Sequence, residues 1–266
     1  PCVLYQNNNG IFTDSSSSAG IEHTDGGHGV AWGDYDNDGD MDLYIANNSA
    51  LLSTSPQRFS SGKNVLYRNN NGIFTDVTDE SGVGSTLTST EVTWVDYDND
   101  GDLDLHVVNG GIQGNQGSIL YENNGDGTFS DIASTAGIQN TGPGEGATWG
   151  DYDNDGDMDL YVVNYNQSNK LYRNNGDSNH WIIIKPVGTT SNRAGIGARI
   201  EVTTGTSTQI SEVDGGSGFC SQDSLWVHFG LGSNEKIDTL KIKWPGGKVQ
   251  TFSDVNTDQV LAITEE

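Results

Sequence analysis

Basic residues are scarce. Lysine and arginine number 12 in 266 residues against 37 aspartates and glutamates, giving a formal net charge of −25. Nucleic-acid binding depends on Lys and Arg neutralising phosphates. This surface should repel nucleic acid, and anionic membranes for the same reason. Cysteine occurs twice, at Cys2 and Cys220. A bridge between them would staple the N-terminus to the C-terminal region and, if unstrained, stabilise the chain by roughly 5 kcal/mol in the loop-entropy model. Two free buried thiols are the alternative. No apolar run approaches the ~18 residues needed to cross a bilayer, so membrane insertion is not expected. The chain opens at Pro1-Cys2-Val3 without Met or a signal peptide and reads as processed or partial, which leaves secretion open.

Hydrophobic residues are also few, at 33%. Randomly placed polar residues would then suggest disorder. Here they fall periodically at turns, and the 36 glycines are about twice the usual share of ~7%. That is the signature of a turn-rich, all-β chain.

One stretch organises the rest. Asp34-Tyr35-Asp36-Asn37-Asp38-Gly39-Asp40-Met41-Asp42 returns as Asp96-Tyr97-Asp98-Asn99-Asp100-Gly101-Asp102-Leu103-Asp104 and as Asp151-Tyr152-Asp153-Asn154-Asp155-Gly156-Asp157-Met158-Asp159. Five aspartates in nine residues repel one another unless a cation neutralises them. Calcium takes six to eight oxygen ligands, and this spacing supplies them. Side-chain ligation is expected from Asp34, Asp36, Asp38 and Asp42, with Asp40 offering its carbonyl. The same roles fall on Asp96, Asp98, Asp100 and Asp104 with carbonyl donor Asp102, and on Asp151, Asp153, Asp155 and Asp159 with carbonyl donor Asp157. The glycine at loop position 6 permits the sharp turn. An acidic solvated turn is the bland reading; threefold repetition with one spacing argues for three Ca2+ sites. An EF-hand is disfavoured, because its position-12 Glu is replaced by Ile45, Val107 and Val162. Magnesium fits less well, since it demands tight octahedral geometry and tends to keep its waters.

A second motif runs in step: Leu4-Tyr5-Gln6-Asn7-Asn8, Leu66-Tyr67-Arg68-Asn69-Asn70, Leu120-Tyr121-Glu122-Asn123-Asn124 and Leu171-Tyr172-Arg173-Asn174-Asn175. Asn/Gly turns lead the first three into Phe12, Phe74 and Phe129, a hairpin signal. Each repeat therefore reads as four short antiparallel strands, in the second unit near 91–96, 103–109, 118–123 and 128–132. Four-stranded units at a spacing of 55–62 residues are propeller blades. Trp32, Trp94 and Trp149 each precede a loop by two residues. Packing between blades is the first reading for them, and a stacking platform for sugars the second.

These repeats resemble FG-GAP/VCBS repeats, the calcium-loop blades also found in integrin α-chain propellers. From Ser178 onward the chain resembles the ASPIC/UnbV domain of the cartilage acidic protein family, through Asn179-His180-Trp181-Ile182, Ser191-Asn192-Arg193-Ala194-Gly195-Ile196-Gly197, Phe229-Gly230-Leu231-Gly232 and Trp244-Pro245-Gly246-Gly247. The resemblance implies calcium-binding β-repeats over residues 1–177 and a C-terminal β-sandwich or barrel-like domain over 178–266. Charge supports that division. The first 177 residues carry 5 basic and 27 acidic groups, the remainder 7 and 10. Leu240, Ile242 and Trp244 alternate with lysines as a half-buried strand does.

Three loops cannot close a propeller of four to eight blades. The expectation is a partial or open array, completed by further chain or by other copies, with unpaired edges that would otherwise need covering. No catalytic set stands out. Gly215-Gly216-Ser217-Gly218-Phe219 is not G-x-S-x-G, and His23, His28, His106, His180 and His228 lack metal-site spacing. Glu91 and Glu145 are the only carboxylates outside the loops that warrant naming. No Arg-Gly-Asp occurs. Asn47 and Asn166 head N-x-S sequons and are the candidate N-glycosylation sites, depending on the organism. The expectation is a non-enzymatic, extracellular, calcium-binding structural or adhesive protein, whose partners are other copies of itself. A monomeric module binding carbohydrate or protein is the alternative.

Overall fold

The computed structural model describes residues 2–23, 26–48, 50–54, 57–60, 62–110, 116–216 and 221–266. Asn/Gly turns set its local geometry. Asn9-Gly10 and Asn71-Gly72 all adopt positive φ, the conformation a two-residue hairpin needs. They join β1 (Tyr5–Asn8) to β2 (Ile11–Asp14), and β7 (Val65–Asn70) to β8 (Ile73–Asp76).

The first full blade has the order β3 (Gly27–Gly33), β4 (Asp42–Asn47), β7, β8, every pair antiparallel. A hairpin of β5 (Ala50–Thr54) and β6 (Gln57–Ser60) is inserted between β4 and β7. The second blade is β9 (Ser89–Val95), β10 (Asp104–Asn109), β11 (Ile119–Asn123) and β12 (Phe129–Asp131), within two residues of the expected bounds. Among the described residues the third has three strands, β13 (Gly144–Gly150), β14 (Asp159–Asn164) and β15 (Lys170–Tyr172). β3 lies beside β9, and β9 beside β13, so first strands neighbour first strands as in a β-propeller.

Alternation along each second strand explains the stacking. Leu43 and Ile45 face the β1–β2 side, where Cys2 and Leu4 pack. Tyr44 and Ala46 face the second blade, against Val92, Leu105 and Val107. On the second blade's other face Val108 and Leu120 meet Ala147, Leu160 and Val162 of the third. A period of two thus lets one strand serve two blade interfaces. Tyr44 is wholly buried, and its hydroxyl donates to Val83 O at 2.8 Å, so it carries no unpaired polar atom.

Residues 180–264 form two further sheets. One has the order β19 (Val227–Gly232), β16 (His180–Val187), β22 (Gln259–Thr264), with β16 and β22 parallel. The other is β18 (Ser207–Glu212), β17 (Arg199–Thr204), β20 (Lys236–Lys243), β21 (Val249–Asn256). Ile182, Phe229 and Leu231 of the first sheet share one core with Ile200, Leu240 and Trp244 of the second. It is a β-sandwich.

Candidate metal centres

Each acidic loop joins the first strand of a blade to its second. At loop position 4, Asn37, Asn99 and Asn154 take φ between 55 and 62°, and the glycines at position 6 take φ between 95 and 99°. Asparagine tolerates the left-handed region and glycine occupies it without cost. These two residues fold the carboxylates back on themselves. In each loop, oxygens of positions 1, 3 and 9 come within 4.8 Å of one another: Asp34, Asp36 and Asp42; Asp96, Asp98 and Asp104; Asp151, Asp153 and Asp159.

The expected position-5 ligands lie outside these triplets. Asp38, Asp100 and Asp155 each accept the N–H of the residue two further on, at 2.8–3.2 Å. At position 7, expected to offer a carbonyl, the side chains accept hydrogen bonds, two of them along the array. Asp40 Oδ2 accepts from Asn71 N–H at 2.7 Å. Asp102 Oδ1 accepts from Asn37 Nδ2 at 2.9 Å, and Asp157 Oδ1 from Asn99 Nδ2 at 3.0 Å. Each of these two position-4 asparagines therefore ties its loop to the next.

Position 9 explains the second motif. Asp42, Asp104 and Asp159 accept from the N–H of Asn69, Asn123 and Asn174, the first asparagine of each L-Y-x-N-N. Two of them reach the preceding blade as well. Asn123 Nδ2 donates to Tyr35 O at 2.9 Å and Asn174 Nδ2 to Tyr97 O at 2.6 Å. As sequence alone, this motif reads only as strand and turn; its fixed phase against the loops is the signal of its second role.

Electrostatics favours a cation. Burial, with neighbouring carboxylates adding to it, pushes Asp34 up to about 6, Asp42 to about 8 and Asp104 to about 9, and Asp96 well above the carboxylate range. Burial lifts Asp98 and Asp157 to about 6. Asp96 is 4% exposed, and its Oδ1 is buried without a partner. A buried, unpaired anionic oxygen costs several kcal/mol unless something pairs with it. The donor set, all oxygen and all anionic, suits a hard divalent ion such as calcium, which when bound would supply charge neutralisation and cross-linking. Asp34, Asp36 and Asp42, with their counterparts in the other loops, would hold it.

Trp94 stacks on Tyr35 of the preceding blade at 5.9 Å, and Trp149 is buried with its N–H 3.3 Å from His106 Nδ1. Both are packing residues between blades; Trp32 is 44% exposed, edge-on to Phe74. Glu91 is buried, accepting from Ala147 N–H of the third blade and from the Ser221 hydroxyl. Glu145 is partly buried on β13. Asn47 is fully buried, its Nδ2 donated to Lys63 O and its Oδ1 3.0 Å from His23 Nε2. That corrects the glycosylation expectation, because a glycan on this nitrogen has no room in the fold. Asn166 is exposed at a turn. Cys2 is a free, partly buried thiol, and Cys220 lies outside the described residues.

No described helix is long and apolar enough to cross a membrane. The family model for FG-GAP-like repeats matches residues 2–45, 51–107, 107–162 and 151–201, and that for ASPIC and UnbV matches residues 188–266. The chain is similar to cartilage acidic protein 1 of Mus musculus, 27% identical over 277 residues, covering 100% of this chain and 41% of the relative. Against the Homo sapiens protein it is 27% identical, covering 94% and 38%, and against that of Xenopus tropicalis 28%, covering 95% and 39%. The chain spans about two fifths of the length of these relatives. Three blades built on one loop, the in-phase asparagines and the matched residues lead to one assignment: the chain belongs to the FG-GAP-like repeat family and carries an ASPIC and UnbV region at its C-terminus.

Proposed function

We propose that this is a non-enzymatic, extracellular structural protein in which calcium rigidifies a fan of β-blades. The observation that carries the reading is the threefold return of one carboxylate triplet, with a buried unpartnered oxygen at Asp96. Loops needing millimolar calcium belong outside the cell, and the relatives' name ties them to cartilage. The fan leaves apolar side chains uncovered at both ends. Ile11 and Phe12 are 72% and 64% exposed on β2, and Leu171 is 56% exposed on β15. A further copy, or further chain, stacked there would bury them, giving a head-to-tail array.

Sedimentation in millimolar calcium and after EDTA tests this. Large particles that shrink or unfold in EDTA are expected. A monomer with identical stability in both conditions would remove both the structural role of calcium and the self-association.

One observation favours a second reading, a monomeric binding module. A cavity of about 580 Å³ between blades and sandwich is bordered by Trp32, Trp94, Trp149 and Trp226, with Asp223 among them. Aromatic faces beside a carboxylate suit a carbohydrate. A calcium-saturated monomer that binds oligosaccharides, with binding lost on Trp226→Ala, would establish this reading over the first.

A further inference from the structure

The three loops share a sequence, but their surroundings differ, and the differences converge on the middle one. The variable residue of L-Y-x-N-N lies beside its own loop. In the first blade it is Arg68, whose charge counters that of Asp36. In the third it is Arg173, which pairs with Asp153 at 2.7 Å and Asp155 at 2.9 Å. In the second it is Glu122, whose charge adds to the repulsion on Asp98. Two loops therefore have an arginine in place, and the middle loop has extra negative charge instead.

The first-position carboxylates differ too. Both oxygens of Asp34 and of Asp151 accept loop N–H groups. Asp96 spends only Oδ2 in this way and keeps Oδ1 unpartnered. That Oδ2 also accepts Gly230 N–H of β19, in the sandwich, at 3.0 Å. Gly232 N–H donates to Asn99 O at 2.8 Å, and Asn179 Nδ2 to Asp98 O at 2.9 Å. The first loop meets the sandwich through Arg199, which donates to Gly39 O at 2.7 Å, and the third through Trp181 packed on Gly156.

We propose that the middle loop is the tightest of the three cation sites, and that its occupancy seats the C-terminal sandwich on the blades. Cation affinity rises with the count of uncompensated ligand charge, and here no arginine has to be displaced. Without a cation, Asp96 keeps a buried oxygen with no partner, and the loop gains by opening to water. Opening withdraws Asp96 Oδ2 and Asn99 O from the amides of Gly230 and Gly232. By linkage, whatever the sandwich lends to the ion, the ion lends to the docking of the sandwich. This inference rests on the calcium reading above.

Calcium titration of the full chain, read by calorimetry and by single-residue amide exchange, separates the two. In the wild type, filling the tightest step alone should slow exchange at Gly230 and Gly232 about tenfold. Leu240 and Ile242, inside the sandwich core, should be unaffected. Glu122→Arg gives the middle loop the arginine of its neighbours and should weaken that step about tenfold, leaving the two weaker steps in place. Gly230→Ala should do the same, since its Cβ would press on the Asp96 carboxylate and stand 2.5 Å from the Asn99 backbone. Three equal steps, a tightest step untouched by Glu122→Arg, or exchange at Gly230 and Gly232 indifferent to calcium would each overturn the inference while calcium binding stood. Equal slowing at Leu240 would overturn it as well, because the ion would then be folding the sandwich and not seating it. Absence of calcium binding would overturn both readings. If Gly230→Ala fails to fold, the wild-type exchange and Glu122→Arg decide.

Discussion

Asn123 makes two links, and only the second needs its side chain. Its N–H pairs with the last aspartate of its own loop, and its amide satisfies the carbonyls of Tyr35 and Leu103 on either side of a blade interface. Asn123→Ala would leave those carbonyls without a partner, a cost of about 1–3 kcal/mol for each. Urea unfolding in saturating calcium should show a loss of roughly 2–6 kcal/mol. Asn124→Ala, one residue on and bonded at the surface to Thr128, should stay within about 0.5 kcal/mol. Equal effects would mean that the bridge between blades contributes nothing. Glu91 supplies a test by pH. Burial pushes it up to about 7, against the pull of Ser221 and Ala147. Unfolded, it would ionise near 4.5. Between those values the folded chain holds the extra proton. Its contribution is therefore full below about pH 4.5 and is lost as pH rises to 7. Glu91→Gln should flatten this loss. The wild type measured against the variant should weaken by roughly 1–3 kcal/mol from pH 4.5 to 7.5. Parallel pH profiles would show that Glu91 ionises in the fold without cost.

Among the elements, the connection from β16 to β17 is held by the C-terminal end of the chain. Glu265 accepts the N–H groups of Thr189, Thr190 and Ser191 and the Ser191 hydroxyl, all within 3.0 Å. Against the upward push of burial, these donors hold it down to about 2. A depressed carboxylate lends stability above its unfolded value near 4.5 and surrenders it as pH falls toward 2. Melting of Glu265→Gln should thus approach that of the wild type as pH falls from 5 to 2.5, after a clear deficit at neutral pH. A deficit that persists unchanged into acid would exclude the carboxylate as its source. The blades themselves were legible in the sequence, because the Asn-Gly turns and the Asp loops mark strand ends to within two residues. The β5–β6 hairpin was not, although the longer spacing before the second loop was its trace. The helical turns at Ser16–Ala19 and Thr78–Ser81 are too short to show a period. Contacts such as Gly230 to Asp96 join residues 134 apart through backbone amides, which no side-chain pattern encodes. Positions 1, 3 and 9 of each loop were legible, whereas the use of positions 4 and 7 to join neighbouring loops became visible only with blades placed side by side.

At the scale of the molecule, the decisive quantity is a net charge of −25 with 15 of the 37 acidic residues in three loops. Three calcium ions would reduce it to about −19, a modest change in total charge. Distance makes the difference. In each loop, carboxylate oxygens stand within 4.8 Å of one another, while screening by monovalent salt acts over about 10 Å at 0.1 M. Salt therefore damps repulsion between loops and across the surface, and leaves repulsion inside a loop nearly intact. Burial of Asp34, Asp42, Asp96 and Asp104 further excludes mobile ions. Melting of the EDTA-treated chain should rise only slightly between 0.05 and 0.5 M sodium chloride, on the order of a few degrees. Millimolar calcium at the lower salt should raise it by about 10 °C or more, as tight ligands of the native state do. If sodium chloride reproduced the calcium effect, the loops would be neutralised by the diffuse ion atmosphere, and the triplets would be surface charge with no site within them. A calcium effect that survives in 0.5 M salt would place the neutralising ion among the buried carboxylates, where sodium at that concentration cannot replace it.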